Sequence, residues 1–83
     1  MKYMTNRIMN QNYKTKCQFL ASTLYAQGFL IESIERINGE CFFIFENKKN
    51  AEKIVRKYYS SDLKVDPRKL FNSFKDIKSM IFN

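Results

Sequence analysis

The pair Asn38-Gly39, set between two apolar-rich runs in residues 29–46, most constrains what this chain can fold into. Both central residues of a type I′ turn need positive φ, and Asn and Gly are the residue types that tolerate it, so the stretch predicts a β-hairpin. A two-residue turn also sets the register. Ile37 then faces Glu40, Arg36 faces Cys41, Glu35 faces Phe42, Ile34 faces Phe43, Ser33 faces Ile44 and Glu32 faces Phe45. One face carries Leu30, Ile34, Cys41, Phe43 and Phe45, which suits a core. The other carries Ile31, Phe42 and Ile44 among acids, too apolar for a plain solvated surface, and this makes those three residues a candidate protein interface unless the chain covers them.

The segments on either side read as helices. Thr15 and Gln18 have capping-box spacing, Cys17, Leu20, Ala21 and Leu24 follow on one helical face, and Gly28 sits where a left-handed residue would end the run, which predicts a helix over about 16–27. Asn47 is a good cap for a second helix with Ala51, Ile54, Val55 and Tyr58 on one side. Ser60-Ser61-Asp62 ends it, and Leu63-Lys64-Val65 is short and compatible with an edge strand. Asp66-Pro67 starts a third helix over about 67–81, since proline at the first helical position lacks only an N–H that would have no partner. Leu70, Phe71, Phe74, Ile77 and Ile81 form its apolar face, predicted to dock on the hairpin. The expected fold is α+β, in the order α-β-β-α-(β)-α: a central antiparallel hairpin of two or three strands packed by three helices. Residues 1–12 lack any period and read as a flexible arm, leaving residues 13–83 as one small domain.

At 83 residues the chain buries only about 60–65% of its unfolded surface, and eight Phe partly offset that handicap. There is no His, and the two thiols, Cys17 and Cys41, belong to no CxxC pair, so each reads as a small hydrophobe. No metal or other cofactor is expected, and with Gly28 and Gly39 both assigned to turns there is no phosphate-cradling loop. Glu35 and Arg36 point to opposite faces of their strand, so no acid/base site forms from them; the chain reads as non-enzymatic. No segment approaches the about 20 apolar residues of a membrane span, and a cytoplasmic protein is expected.

The net charge of +7 is unevenly distributed. Residues 1–28 carry four basic residues and no acid, residues 29–46 carry Arg36 against four glutamates, and residues 47–83 carry ten basic residues against four acids. Basic flanks therefore surround an acidic hairpin. On the second helix Lys49, Lys53, Arg56 and Lys57 fall opposite the apolar face, and on the third lie Arg68, Lys69, Lys75 and Lys78. These eight are candidate contacts to nucleic acid or to an acidic partner, because cations without neighbouring acids are what a phosphate backbone attracts. Tyr3, Tyr13, Tyr25, Tyr58 and Tyr59 are candidate base-stacking groups, with Tyr59 nearest the basic row.

The chain also resembles a family of small proteins from Gram-positive bacteria and their phages that contains a domain of unknown function. The matching features are Tyr13-Lys14-Thr15, Leu20-Ala21, Gln27-Gly28-Phe29, Ile34-Glu35-Arg36, Phe43-Ile44-Phe45-Glu46, Tyr58-Tyr59 and the run from Val65-Asp66-Pro67 through Arg68-Lys69-Leu70-Phe71-Asn72, over residues 13–82. Where the family often has an acidic residue near the start of the first helix, this chain has Cys17. The resemblance implies no activity, cofactor or catalytic residue. It implies a phage or mobile-element accessory setting, in which small proteins bind nucleic acid or disable host proteins, CRISPR nucleases included. The expectation is a basic binding module for nucleic acid or a nucleoprotein, with an inhibitor of a host defence protein as the alternative and a homodimer as a further partner arrangement.

Overall fold

The computed structural model describes residues 12–81. In chain order they form β1 (Tyr13–Thr15), α1 (Gln18–Ala26), β2 (Ile31–Ile37), β3 (Glu40–Phe45), α2 (Lys48–Ser60) and α3 (Pro67–Ile81). The expected arm, residues 1–12, lies outside the described residues apart from Asn12. The strands make one antiparallel sheet in the order β1-β3-β2. All three helices meet the sheet face that carries Phe43 and Phe45. Ala21 and Leu24 of α1, Ala51 of α2 and Ile77 of α3 close over those two rings in one buried cluster. The fold is α+β, three helices on a three-stranded sheet.

The hairpin turn has positive φ at both Asn38 (50°) and Gly39 (82°), as a type I′ turn requires. From Ile37 opposite Glu40 to Ser33 opposite Ile44 the register is the expected one; then Ile31, not Glu32, pairs with Phe45. Glu32 is the extra residue of a β-bulge, and one extra residue moves the next side chain to the other face. Ile31 therefore packs with the core cluster, and the predicted outer patch of Ile31, Phe42 and Ile44 loses its first member. Without the bulge Glu32 would lie on the face of Phe45, which is completely buried, and an acid there would lose its hydration for no partner.

The third strand is a second correction. Residues 62–66, which include Leu63-Lys64-Val65, have no regular structure; the Gln27 side-chain amide donates to the Lys64 carbonyl at 3.3 Å and ties this loop to the end of α1. The strand is instead Tyr13–Thr15, on the free edge of β3, with Tyr13 opposite Phe45, Lys14 opposite Ile44 and Thr15 opposite Phe43. Because Thr15 is spent in the strand, the capping box does not form. The Thr15 hydroxyl accepts from the Cys17 N–H only two residues on, at 3.1 Å, and α1 begins at Gln18 without a side-chain cap.

α1 is the central helix. Residues 20–24 are all buried, and five successive positions go right around a helix of about 3.6 residues per turn. α1 packs against both other helices, most extensively against α3. Ser22 and Thr23 are consequently polar groups inside the protein, and each donates its hydroxyl to the carbonyl four residues back, Gln18 at 2.7 Å and Phe19 at 2.9 Å. The helix ends in a Schellman motif: Gly28, at φ 96°, donates to Tyr25 at 3.0 Å, and Phe29 donates to Leu24 at 3.1 Å.

Asn47 is the cap of α2, as expected, although through a left-handed backbone (φ 64°) and not a side-chain bond. Asp66 caps α3, its carboxylate accepting from the Arg68 N–H at 2.9 Å. α3 is rotated from the expected orientation. Ser73 and Ile77 are its buried residues and Phe71 is exposed, because the helix packs chiefly on α1, where the small Ser73 permits close approach, and only its later turns reach the hairpin core. Arg36 donates to the Ile81 carbonyl at the end of α3, a cation at the negative end of the helix. Cys17 and Cys41 are both free and half-buried.

Candidate nucleic-acid interface

The eight candidate cations are all exposed. On α2, at about 100° per residue, Lys49, Lys53, Arg56 and Lys57 fall in one row on the side away from Ala51. Tyr59, 71% exposed, stands beside that row one turn beyond Arg56. Its ring meets that of the half-buried Tyr58 edge-on at 5.1 Å and 88°. Glu52 is the one acid on this helix.

On α3 the four candidates separate. Arg68, Lys75 and Lys78 share a row with Phe71, at spacings of three or four residues, whereas Lys69 falls on the far side of the helix near Asp76. The Lys75 ammonium lies 5.5 Å from the Phe71 ring centroid and the Lys78 ammonium 5.6 Å from that of Phe74. Phe74 in turn stacks on Phe19 of α1, with centroids 5.1 Å apart and planes at 1°. Phe19 and Phe71 are 63% and 62% exposed. Sequence spacing placed Phe71 in the apolar face of α3 and Phe19 at the edge of that of α1. The available signal was Phe71's own row, whose other members are all cations.

The two rows are on different helices with α1 packed between them, so the candidates form two surfaces and a stray lysine. Among the described residues the ion pairs are Lys14 with Glu35 and Lys16 with Glu40, both at 3.0 Å, and neither involves α2 or α3. Both pairs cross the outer face of the sheet, where lysines from β1 and the residue after it neutralise glutamates of the hairpin. Among the described residues the largest surplus of positive charge lies on the two outer helices.

That outer face is where Phe42 and Ile44 remain. Ile44 is only 7% exposed, although the helices lie on the other side. Lys14 stands opposite Ile44 yet carries its ammonium to Glu35 and to 5.2 Å from the Phe42 centroid. Its aliphatic stem must therefore run diagonally across β3, over Ile44 and Phe42. Ile37 remains exposed at the turn end of this face.

Tyr13, Tyr58 and Tyr59 gather with Cys17 and Glu52 where α2 meets β1. Burial raises the Tyr13 phenol above its ordinary value, reinforced by negative charge on Tyr59, Glu52 and Cys17; burial likewise raises Tyr58, with smaller effects from Cys17 and Tyr59. Of the other tyrosines, Tyr25 is half-buried against the core, and Tyr3 lies outside the described residues. Tyr59 is the one whose ring is open to solvent among those described.

Among the described residues no group of His, Cys, Asp and Glu could hold a metal ion, and no helix is long and apolar enough to cross a membrane. What the fold and surface define is a small α+β domain with two ion pairs across its outer sheet face and two basic helices that take part in no ion pair among the described residues. A family model, the Domain of unknown function (DUF5659), matches residues 10–83, and the chain belongs to that family. Comparison with curated proteins and with solved structures gives no match.

Proposed function

We propose that the protein is a small non-enzymatic module that binds nucleic acid, free or within a nucleoprotein, through the basic rows of α2 and α3. The observation that carries this reading is the separation of charge. Glu35 and Glu40 of the hairpin are paired with Lys14 and Lys16, while Lys49, Lys53, Arg56 and Lys57 stand exposed in one row without an ion pair among the described residues. Such a row contacts phosphates one by one and releases their counterions. In keeping with the family resemblance, the setting we propose is the cytoplasm of a Gram-positive bacterium, with the protein supplied by a phage or mobile element.

Fluorescence anisotropy with labelled DNA and RNA, in a salt series, tests the reading. Affinity should fall steeply as salt rises, with a log–log slope of about 0.9 for each phosphate contacted. Lys53→Glu with Arg56→Glu should weaken binding to every sequence and reduce that slope by about 2. Affinity absent even at low salt overturns the reading. It would favour a protein partner, such as a component of a host defence system, seated on the outer sheet face, where Phe42→Asp would abolish capture.

A further inference from the structure

We infer that the outer row of α3 is a stacking platform for the unpaired bases of a single-stranded nucleic acid, centred on Phe71 and flanked by Arg68, Lys75 and Lys78. The inference rests on the nucleic-acid reading above and adds the form of strand taken and the place its bases go. Single exposed phenylalanines are ordinary, whereas Phe71 stands one helical turn before Phe74, beside the Phe19–Phe74 stack, which brings three rings to one region of the surface. Cations stand against it: the Lys75 ammonium lies over the Phe71 ring at 5.5 Å from its centroid and the Lys78 ammonium over the Phe74 ring at 5.6 Å, and Arg68 lies one turn before Phe71. The combination selects the occupant. An apolar protein surface laid on these rings would strip water from the three cations without giving them a partner. A single strand offers both halves together, a base for the faces of Phe71 and Phe19 that neither the Phe19–Phe74 stack nor an ammonium covers, and a phosphate for each cation. A duplex offers the phosphates alone, because its base faces are already stacked on one another. From Arg68 to Lys78 the row is about 15 Å long at 1.5 Å per residue, room for a few nucleotides.

The full-length chain is titrated into labelled oligo-dT, oligo-rU and a duplex of equal length at one low salt concentration. Both single strands should bind more tightly than the duplex. Phe71→Ala should weaken single-strand binding by about five- to a hundredfold and leave the duplex affinity and the salt slope unchanged. Since the chain has no tryptophan, Phe71→Trp places a lone reporter in the platform, and oligo-dT should quench its fluorescence. Equal affinity for duplex and single strand, with Phe71→Ala silent and no quenching, overturns the platform and leaves the phosphate-binding reading standing. Absence of binding to any of the three at low salt overturns both. Loss of a self-association by Phe71→Ala, with nucleic-acid binding intact, assigns the rings to a contact between copies and overturns the platform as well.

Discussion

Lys14 shows how much of this surface is set by single residues. From β1 its stem covers Ile44, its ammonium reaches Glu35, and the same ammonium lies by the Phe42 ring. The ion pair is about half exposed at both ends and of the kind that contributes only about 0–1 kcal/mol; the larger part of its role is keeping water from two apolar side chains. Tyr13, its neighbour on the opposite face, works against ionisation. An acid whose folded pKa is raised keeps its proton in the native state while the unfolded chain starts to release one near pH 10. The contribution of Tyr13 and Tyr58 is thus complete below that pH and is lost as pH rises through and beyond it, opposite in sense to a salt-bridged carboxylate. Urea midpoints measured across the alkaline range should fall above about pH 10. They should fall less steeply in the variant carrying both Tyr13→Phe and Tyr58→Phe, the lysines being common to both proteins. Parallel curves would mean that neither phenol is held by the fold.

At the scale of elements, boundaries are fixed by a few backbone conformations. Gly28 closes α1 at φ 96°, and a Cβ there would meet nothing within 4 Å, so the effect of Gly28→Ala is conformational and not steric. It should cost about 1–2 kcal/mol, the penalty of a left-handed residue with a side chain, read as a lowered urea midpoint; Gly28→Asn should cost less. An unchanged midpoint would show that the Schellman geometry does not hold the helix end. These same punctuating residues are what made the elements legible in the sequence: Asn38-Gly39, Gly28 and Asp66-Pro67 each imposed a conformation that local chemistry alone determines. What the sequence concealed was decided by tertiary contact. Three residues of β1 are too few to show a strand period, and they pair because β3 needs cover on its second edge. The Glu32 bulge answers to a buried Phe45 far along the chain. Phe71 fits the apolar period of α3 and is turned outward only because the helix packs on α1 through Ser73. The candidate cations were legible one by one, but their division into two rows required knowing that α1 lies between α2 and α3.

For the whole molecule the uneven charge has a consequence for stability as well as for binding. Lys49 with Lys53, Lys53 with Arg56 and Lys57, and Lys75 with Lys78 are like charges at three- or four-residue spacing, each pair destabilising by about 0.2–0.5 kcal/mol. The net +7 of the chain adds to this repulsion. Against it stand two half-exposed ion pairs on the sheet, contributing about 0–1 kcal/mol each, and Glu52 at three- or four-residue spacing from Lys48, Lys49 and Arg56. Screening weakens both sets, and because the short-range pairs nearly balance in number the net +7 of the chain decides the sign. Raising sodium chloride from about 10 mM to about 150 mM, over which the screening length shrinks from about 30 to 8 Å, should therefore increase the urea midpoint. Lys53→Glu, which turns three repulsions into attractions, should raise stability at low salt and flatten or reverse that dependence. A wild-type midpoint that falls with salt would place the dominant electrostatic term in the Lys14–Glu35 and Lys16–Glu40 pairs across the sheet. The unpaired rows of α2 and α3 would then be electrostatically neutral to the fold, their cations too well hydrated to repel one another.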